Sequence, residues 1–586
     1  MSVTRYELTI RVRTASPLHS GGIDEVVNRT EEGRDRQTVV RRFARDGRDR
    51  PILTGRSVKG ALRAACRRYL SGQPDGDVAA VLNPAALRRL WGDEGKKSAS
   101  APLRAACLTV HTVELCPAGA DGAVGTDGAA GAASANGAAG ELPSRMGNAI
   151  DRYWGSAADG ALFEHEYLPE GRTLEIVITA QAGLPDGVDV PAGAVEPATP
   201  EQVETLFELF LGLFRSERIA FGGRQGAGWG RVRPDARPGA GFWTLTRAPL
   251  GSCDDLVRWL SDGQDMAGTI TPVDCGGPDR MRITVEWNSP TGILVADPRI
   301  SEAELERKRQ EKEKRERAAQ EAGRSGAPDD VRDDYVPARQ MRTDTAQGER
   351  LVLPGSSVRG ALRSRASRIA RTILAARRAP VEDWSDTDVH AQLASDPVLV
   401  RDLFGSTEQH GALTVLDTLA VPGSSRLIPH NAGDRWTGGV AGGALYGEEV
   451  HDAQWGDLTL ELNPGSFSPR ADVNRRRAAW CLLGLVLAEL AAGALPLGSR
   501  GTRGLGQVEV TGIKVEGGPS LGVEDWALAA PSQDGGKSVA EQILDRLRSV
   551  NEDIAASPGA GGDWTGWSSY LCDQCDQCDQ EEARDE

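Results

Sequence analysis

The chain has 586 residues, which is too long for one ordinary hydrophobic core, so two or more domains are expected. With 39% hydrophobic and 26% charged residues, it has the composition of a soluble globular protein. A formal net charge of -16 excludes a generally basic nucleic-acid coat, although a local basic groove stays compatible with it. No stretch approaches about 18 uncharged apolar residues, so no membrane contact is predicted.

The N-terminal segment MSVTRYELTIRVRT lacks the apolar core of a signal peptide and is predicted to form a strand. Nine cysteines, most of them scattered singly, are typical of reduced cytosolic thiols. We therefore expect a cytoplasmic protein.

The predicted elements recur in the same order in the two halves of the chain. Each half begins with an alternating strand, at residues 6–22 and 281–297. A Gly-Ser turn then leads into an arginine-rich helix, in LTGRSVKGALRAACRR (53–68) and LPGSSVRGALRSRASR (353–368). Such matched blocks indicate a tandem duplication with its junction near 250–280.

The later blocks of each half also match. LWGDE (90–94) matches LFGSTEQHGALTVLDTL (403–419). The next pair is SRMGNAIDRYWGSAADGALFEHEYLP (144–169) and IPHNAGDRWTGGVAGGALYGEEV (428–450). The last pair is the two glycine loops, FGGRQGAGWGRVRP (221–234) and LGSRGTRGLGQVEV (497–510). Helical apolar spacing at 202–216 and 474–492 predicts a helix before each glycine loop. This order fits a split β-α-β core, so we predict an α+β protein made of two tandem ferredoxin-like domains with inserted loops and hairpins.

The composition also sets the predicted domain bounds. We expect a first domain at 1–260, a junction at 261–275, a second domain at 276–520 and a flexible C-terminal extension at 521–586. An Ala/Gly-rich loop at 117–142 is predicted to be disordered. The charged insertion at 301–325 is predicted to be a solvated helix without a core face.

The Gly-Ser turns are the first candidate site for phosphate. Pro354 and Gly355 are expected to turn the chain, and Ser356 or Ser357 to cap the helix, whose free N–H groups then suit an anion. Further basic residues follow at helical spacing. The candidates are Gly55, Ser57, Lys59 and Arg63 in the first half, and Ser356, Ser357, Arg359 and Arg363 in the second. The alternative is a capped helix with solvated basic residues.

The glycine loops are the second candidate site. They allow close backbone approach by a ligand, and they carry Arg224 and Arg231 in the first half and Arg500 and Arg503 in the second. Neither loop is a Walker loop, because the G-K-[ST] ending is missing. Neither is a dinucleotide fingerprint, because each precedes a strand. The alternative is a tight glycine turn packed on a sheet edge.

The combination of SPLHSGG, PGSSVRGALR, LFG…GALTVLD, NAIDRYWGSAADGALFEHE and a late glycine loop resembles the RAMP superfamily. More closely, it resembles the repeated backbone subunits of type III CRISPR effector complexes, here two joined in one chain. The resemblance implies an RRM-type fold in each half. It also implies binding of a CRISPR guide RNA, pairing with single-stranded target RNA, and contact with other CRISPR effector subunits.

The resemblance further implies target-RNA cleavage by an Asp on the loop that precedes the Gly-Ser turn. In the first half Asp35 is favoured and Asp24 is the rival; in the second half Asp334 is favoured over Asp333. Asp35 and Asp334 would hold Mg²⁺ or another divalent ion, or act in acid–base catalysis. The alternative is that these are solvated loop carboxylates. A non-catalytic guide-binding scaffold is therefore a second hypothesis.

A guide-processing endonuclease is a third hypothesis, with His19 as general base. The second half has Gly292 or Ile293 in that place, so the duplication does not preserve the histidine.

Two repeated tips and one tail complete the set of candidates. Asp151 and Arg152 match Asp434 and Arg435, a pair most simply structural, with RNA contact as the alternative. Trp154 and Trp436 are expected to pack in the core, with base stacking as the alternative. The tail cysteines have C-x-x-C spacing but lack a fourth zinc ligand nearby, and low-complexity repetition explains them better. They are Cys572, Cys575 and Cys578.

Overall fold

The computed structural model describes most of the chain. The described residues are 3–22, 26–30, 37–92, 105–115, 142–183, 197–236, 241–262, 266–267, 269–277, 280–300, 336–345, 348–377, 379, 381–467, 471–531, 536–556 and 566–571, together with single positions between 304 and 317. Residues 117–141 and the tail cysteines lie outside them. The single positions between 304 and 317 are helical and mostly exposed, as the charged composition predicts.

The chain divides into two compact units. Unit 1 comprises Met1–Gly147, Leu162–Gln225 and Trp229–Asp279, and unit 2 comprises Asn148–Ala161, Gly226–Gly228 and Arg280–Glu586. Unit 2 therefore holds the second repeat (residues 281–510) and also a short hairpin segment from within the first repeat (residues 6–234).

The first 279 residues contribute the elements of the first repeat. The strands are β1 (Thr4–Thr14), β2 (Val26–Thr30), β3 (Gln37–Arg41), β4 (Ile52–Leu53), β5 (Leu108–Val110), β6 (Val113–Glu114), β7 (Ser144–Asp151), β8 (Ser156–Glu166), β9 (Thr173–Ala182), β10 (Val232–Pro234), β11 (Trp243–Pro249) and β12 (Met266–Ala267). The helices are α1 (Gly55–Gly72), α2 (Asp77–Val81), α3 (Pro84–Trp91), α4 (Pro200–Arg215) and α5 (Cys253–Asp262).

The main sheet of unit 1 runs in the order β12-β11-β1-β9-β5, with β10 also paired to β1. Its pairings are antiparallel, and Leu8 of β1 stands opposite Ile178 of β9 and Leu245 of β11. Alternate residues of β1 are buried, because one face of the strand packs on α1 and α4. The order of β10/β11, β1, β9 and β5 is that of a ferredoxin-like sheet.

Residues after 279 contribute the elements of the second repeat and the C-terminal region. The strands are β13 (Met281–Asn288), β14 (Arg342–Thr345), β15 (Gly348–Leu353), β16 (Leu413–Val415), β17 (Thr418–Gly433), β18 (Val440–Trp455), β19 (Leu458–Leu462), β20 (Glu509–Glu516) and β21 (Trp526–Ala529). The helices are α6 (Gly355–Ala376), α7 (Val389–Ala394), α8 (Val398–Phe404), α9 (Val473–Ala491) and α10 (Val539–Ala555).

Unit 2 repeats the same sheet with β16-β19-β13-β20-β21. Its pairings are also antiparallel, and the core of α6, α8 and α9 covers one face. The prediction of an α+β protein with two ferredoxin-like domains is confirmed.

Both helices that precede the glycine loops form as predicted. Thr199 caps α4 in a reciprocal pair with Gln202, and the Asp472 side chain caps α9 by accepting from the Arg475 amide. These caps satisfy N–H groups that have no partner within the helix. Each helix buries a long apolar face, which the apolar spacing in the sequence indicates.

Each repeat also extends a two-stranded hairpin beyond its main sheet. In the first repeat the hairpin is β7–β8, in a small sheet of order β2-β3-β8-β7. In the second repeat it is β17–β18, in a sheet of order β14-β15-β17-β18. These hairpins are the insertions that the sequence predicts between the central strands.

The C-terminal region differs from the prediction of a flexible extension over 521–586. Helix α10 begins with a capping box of Ser538 and Glu541, and its residues Ile543, Leu547 and Ile554 are buried against the core of unit 2. These apolar residues recur at helical spacing. A short 3-10 turn at Gly566–Leu571 buries Leu571 in the same core.

Within the described residues, none of the helices is long and apolar enough to cross a membrane.

Candidate nucleic-acid interface

The second arginine-rich helix begins two or three residues earlier than predicted, and the first begins at the matching glycine. Helix α1 starts at Gly55 with Thr54 as N-cap, and α6 starts at Gly355 with Pro354 as N-cap. The Thr54 hydroxyl accepts from the Ser57 amide (3.3 Å), whereas no side-chain cap forms at Pro354. The prediction that Ser356 or Ser357 caps α6 is therefore wrong, because both lie inside the first turn of the helix.

The glycine in each helix start is required by close packing on the sheet. A Cβ on Gly55 would lie 2.1 Å from the Val110 carbonyl oxygen, and one on Gly355 would lie 2.2 Å from the Val415 carbonyl oxygen. The glycine thus lets each helix start against β5 or β16. This explains the repeated motif by packing rather than by approach of a ligand.

The two helix starts differ in what occupies their N–H groups. The Gly355 amide donates to the Asp417 carboxylate (2.8 Å). The first repeat has Thr112 at the position of Asp417, since LTVHTVE (108–114) aligns with LTVLDTL (413–419). The Asp417 carboxylate therefore already occupies one of the free N–H groups at the positive end of the α6 dipole.

Lys59 and Arg359 have the same role in the two repeats. The Lys59 ammonium donates to the Leu108 carbonyl (3.0 Å), and the Arg359 guanidinium donates to the equivalent Leu413 carbonyl (3.3 Å) and to Phe404 (2.6 Å). Burial lowers the pKa of Lys59, and the nearby Arg63 charge adds to this. Both residues tie the helix to the sheet edge.

Arg363 forms an ion pair with a buried carboxylate. Its guanidinium donates twice to one Asp396 oxygen, at 2.9 and 2.7 Å, and also to the Gly405 carbonyl. The Asp396 side chain is fully buried. Arg63 lies at the equivalent position on α1 and is half-buried.

The glycine loops fold tightly beneath the end of the first strand of each repeat. The Gly223 amide donates to the His19 carbonyl (2.9 Å), and the Ser499 amide donates to the Leu294 carbonyl (2.8 Å). A Cβ on Gly222 would lie 2.0 Å from the His19 carbonyl oxygen. The structural counterpart of His19 is therefore Leu294, not Gly292 or Ile293 as the sequence alignment suggests.

One arginine in each glycine loop adopts the same unusual backbone conformation. Arg224 has φ of 59° and Arg500 has φ of 65°, and the two residues align in the repeats. The left-handed region costs a residue with a side chain about 1–2 kcal/mol. Glycine, abundant in both loops, would avoid that cost.

The two loop arginines contact equivalent positions on the hairpin strands β8 and β18. Arg224 Nη1 lies 3.4 Å from His165 Nδ1, and its guanidinium lies over the Phe163 ring. Arg500 Nε lies 2.7 Å from the Glu448 carboxylate, which occupies the place of His165. The arginine is shared, whereas its partner differs.

The second loop concentrates positive charge around one buried carboxylate. Arg500 and Arg503 both pair with the same Glu448 oxygen, and His430 contacts the other oxygen at 3.0 Å. Both arginine side chains are 40% exposed, whereas Glu448 is buried. Arg503 also lies over the Tyr446 ring, which aligns with Phe163.

Arg231 has its backbone fixed at the end of the first loop. Its amide donates to the Ser16 hydroxyl (3.0 Å), and its carbonyl accepts from the Ala15 amide (2.8 Å). The residue is half-buried.

Two histidines beneath the first loop are held neutral. Burial lowers the pKa of His165 to about 3, and the Arg224 charge adds to this. Burial also lowers the pKa of His19, whose Nδ1–H donates to the Glu166 carbonyl at 2.7 Å. The carbonyl can only accept, so the Nε2 of His19 is left without a proton.

The tips of the two hairpins form the same turn. Asp151 accepts from the Tyr153 and Trp154 amides, and Asp434 accepts from the Trp436 and Thr437 amides, all at 2.8–3.0 Å. These backbone hydrogen bonds lower the pKa of both carboxyls. The structural reading of the Asp-Arg pair is thus supported for the aspartates.

The tip tryptophans are not in the core. Trp154 is 70% exposed and Trp436 is 96% exposed. The expectation of core packing is wrong for both, because each ring lies at an exposed hairpin tip. The Trp154 ring is only partly covered by the Tyr153 ring, with 4.9 Å between the ring centroids.

Arg152 at the first tip is buried within unit 2, whereas Arg435 at the second tip is exposed. Arg152 pairs with Asp396 at 2.6 Å and donates to the Ser367 hydroxyl at 2.9 Å. Burial lowers the pKa of Arg152, whereas the Asp396 charge opposes this. The amide of Gln392 bridges the tip, since its oxygen accepts from the Arg152 amide and its nitrogen donates to Asp151.

The predicted catalytic aspartates lie outside the described residues. These are Asp24, Asp35, Asp333 and Asp334. In the part of the chain that the structure describes, no group of three His, Cys, Asp or Glu side chains could hold a metal ion.

Sequence reasoning missed Asp396, Glu448 and Asp417, the carboxylates that hold the repeated arginines. An alignment of the repeats would have found them. NPAALRRLWG (83–92) matches DPVLVRDLFG (396–405), and FEHE (163–166) matches YGEE (446–449). A carboxylate that occurs at a matched position in only one of the two repeats is the sequence feature that would have identified these residues.

Comparisons with known proteins identify the family of the chain. A solved structure titled "Type IV-B CRISPR Complex" is 17% identical to the chain, with coverage of 44% of this chain and 99% of that chain and a TM-score of 0.23. No curated protein matches the sequence. The RAMP superfamily matches residues 11–233 and 340–509, both repeats, and this chain therefore belongs to the RAMP superfamily.

Proposed function

We propose that this protein is a double backbone subunit of a CRISPR ribonucleoprotein, and that each repeat binds the sugar-phosphate chain of the guide RNA. The observation that carries the proposal is the pair of left-handed arginines, Arg224 and Arg500. They occupy the same position in the two glycine loops, although their partners on the hairpin strands differ, His165 in the first repeat and Glu448 in the second.

The strain at these arginines argues for a role beyond packing. A residue held in a sparsely populated conformation is typical of functional sites, where the surrounding structure keeps it in place. If the arginine served only to pair with Glu448, its counterpart would have no reason to persist beside the neutral His165. A ligand common to both repeats explains the common residue.

The local charge suits a phosphate. Arg500 and Arg503 share one carboxylate, so their cluster has more positive than negative charge, and both side chains are 40% exposed. His165 is neutral at pH 7 because its pKa is about 3, so it does not add a second charge beside Arg224. Arginine suits phosphate because its planar group donates two parallel hydrogen bonds. The net charge of -16 makes such local clusters, and not the whole surface, responsible for RNA binding.

The experiment measures guide RNA affinity against salt concentration for the wild type, Arg224→Ala, Arg500→Ala and the double variant. The logarithm of the binding constant falls linearly with the logarithm of the salt concentration. For single-stranded RNA, each lost phosphate contact should reduce the magnitude of that slope by about 0.7. We expect each single variant to lower the slope by that amount, and the double variant by about twice as much.

A matched control separates these contacts from general charge. Arg548→Ala removes an exposed arginine of α10, whose side chain is 68% exposed. It should leave the slope unchanged. Equal slopes for the wild type and the double variant would contradict the proposal.

We further propose that the complex is of type III and that it cleaves target RNA. Support comes from the resemblance of both repeats to type III backbone subunits, which implies a catalytic Asp in the segment before each helix start; Asp35 and Asp334 are the residues that we assign to this role. Mg²⁺ or another divalent ion, held there by these carboxylates, would stabilise the charge of the transition state. The non-catalytic scaffold remains the competing hypothesis.

The test uses the assembled complex with guide, labelled complementary RNA and Mg²⁺. Cuts at fixed positions that disappear with EDTA are expected. Asp35→Ala and Asp334→Ala should each remove a subset of the cuts. If the double variant leaves every product unchanged, the assignment of these residues is wrong. If the free protein cuts a CRISPR repeat hairpin without metal, guide processing is the activity.

A further inference from the structure

Each repeat has an arginine at a matched position in the segment that leads from the candidate catalytic aspartates to the Gly-Ser turn. Ala44 and Met341 are counterparts, because each donates its amide to the segment after the first strand of its repeat, at 2.7 and 2.8 Å. Arg42 and Arg339 lie two residues before them. Both side chains are partly exposed, 34% in Arg42 and 28% in Arg339.

Both arginines pair with the same glutamate of the hairpin. Arg42 Nε lies 3.7 Å from the Glu166 carboxylate, and Arg339 Nη1 donates to the matched Glu449 carboxylate. These glutamates lie on β8 and β18, directly after the residues that contact the left-handed arginines of the glycine loops. In each repeat, two arginines thus pair with neighbouring residues of one hairpin strand.

The second repeat differs in what occupies the remaining edge of the arginine. Glu304, a helical position of the charged insertion, accepts from Arg339 Nε at 2.8 Å and from Nη2 at 3.0 Å. Arginine binds phosphate through the same pair of parallel hydrogen bonds. The hydrogen bond from Arg339 lowers the pKa of Glu304 below its ordinary value, so the carboxylate is charged at neutral pH. A carboxylate of the chain itself therefore fills this edge of Arg339.

The same edge of Arg42 has only long contacts. Its Nη2 lies 3.4 Å from Asp49, whose side chain is 72% exposed, and its Nε lies 3.7 Å from Glu166. Exposed ion pairs of this kind contribute little, so another anion can replace Asp49. Glu166 does not depend on Arg42 either, because Arg45 pairs with it at 3.1 Å.

We propose that Arg42 and Arg339 are matched binding sites for a phosphate of the target RNA, and that Glu304 occupies the second site as an internal competitor. The insertion thereby weakens cleavage by the second repeat, because the RNA is held less well there. Local charge supports the difference. Two carboxylates pair with Arg339, whereas the two carboxylates beside Arg42 also pair with Arg45. This inference rests on the proposed function, in which the chain cleaves target RNA.

The first experiment measures binding of an oligouridine strand by the full chain against salt concentration. Glu304→Gln frees the edge of Arg339 and leaves its Glu449 partner in place, so one more phosphate contact can form. The slope of the logarithm of the binding constant against that of the salt concentration should increase in magnitude by about 0.7. Glu306→Gln, which changes an exposed carboxylate of the same helix, is the matched control and should leave the slope unchanged.

The dependence on Arg339 decides the interpretation of that result. Adding Arg339→Ala to Glu304→Gln should remove the gain in slope. Adding Arg342→Ala instead should retain it, since Arg342 pairs with Glu349 of its own sheet. The proposal is overturned if Glu304→Gln leaves the slope unchanged, or if the gain persists without Arg339.

The second experiment compares single-turnover cleavage rates in the assembled complex with guide, labelled target RNA and Mg²⁺. Asp35→Ala and Asp334→Ala first assign the cuts to the two repeats. Glu304→Gln should raise the rate of the second repeat about tenfold, because a charged hydrogen bond no longer competes with the RNA, and should leave the first repeat unchanged. A rate of the second repeat that stays the same or falls would overturn the proposal.

The first repeat supplies the complementary variants. Arg42→Ala should slow only the cuts of the first repeat, whereas Arg48→Ala, at an exposed arginine of the same segment, should slow neither set. Equal effects of the two variants would contradict a specific site at Arg42. If the wild-type complex makes no cuts at all, the proposed cleavage fails, whereas the salt dependence of the isolated chain still tests the competition at Arg339.

Discussion

The two repeats have the same fold but hold their arginines in different ways, and the difference is clearest at one matched segment. In the first repeat Asn83 is exposed and caps α3, accepting from the Ala85 and Ala86 amides. In the second repeat the matched Asp396 is fully buried between two arginines. The matched position thus holds an amide that caps a helix in one repeat and a carboxylate that binds a hairpin arginine in the other.

This comparison teaches that duplication preserves backbone requirements more strictly than side-chain partners. A Cβ added at Gly55 or at Gly355 would meet the carbonyl of the equivalent valine at nearly the same distance, and Arg224 and Arg500 have nearly the same φ. Their surroundings, in contrast, changed from His165 to Glu448 and from Thr112 to Asp417. A position kept under backbone strain in both repeats is therefore the better guide to shared function.

The largest expected effect is at the buried carboxylate. Asp396→Ala leaves Arg152 and Arg363 buried without their partner, and breaking such a pair costs about 3–5 kcal/mol. Asn83→Ala removes only a helix cap and should cost about 1 kcal/mol. Amide hydrogen exchange of α6 and α8, compared with α1 and α3, measures the two losses separately. Equal losses at both positions would remove the distinction drawn between the repeats.

The next effect concerns the glycine at each helix start. Gly55→Ala and Gly355→Ala would drive a Cβ into a backbone carbonyl, and the overpacking should cost about 1–3 kcal/mol. Urea denaturation of each variant measures the loss.

The same helices supply the control for the glycine substitutions. Gly60 and Gly360 lie five residues further on, and a Cβ at either would meet nothing within 4 Å. Alanine there should stabilise the helix by up to about 1 kcal/mol. Destabilisation by all four substitutions would show that the close approach of helix and sheet is not what requires Gly55 and Gly355.

A smaller effect is expected from pH in unit 1. The pKa of His165 falls from its ordinary value of about 6.5 to about 3 in the folded protein. Folding therefore favours the neutral ring, and its contribution is complete above pH 6.5 and is lost as pH falls through the window from about 6.5 to 3. Between pH 6.5 and 5 we expect a loss of about 2 kcal/mol.

The variant His165→Phe should flatten that pH dependence. Thermal unfolding of the wild type and the variant at several pH values measures the difference. An unchanged pH profile would mean that the imidazole is not the titrating group.

The sequence predicts the fold well because periodicity and repetition report it directly. Alternation in β1 and β13, and the helical spacing in α4 and α9, match the observed elements. The order of strands around β1 follows once two β-α-β halves are recognised. The helix α10 was missed because its apolar residues lie in a mostly polar region, where composition suggests mobility.

The site was predicted less well, because its partners are far apart in sequence. Asp396 lies 244 residues from Arg152 along the chain, and no local pattern joins them. Lys59 and Arg359 looked like phosphate contacts, whereas they bind carbonyls of the neighbouring strand. The left-handed φ of Arg224 also could not be predicted from the sequence. The neighbouring residues include several glycines, and a positive φ is expected at a glycine rather than at an arginine.

The most direct test of the central claim is ultraviolet cross-linking of the protein to its guide RNA, read by mass spectrometry. Both glycine loops, at residues 221–231 and 497–507, should give cross-linked peptides with the same guide. Cross-links elsewhere on the chain, with neither loop represented, would contradict the claim that the two repeats hold the RNA through equivalent arginines.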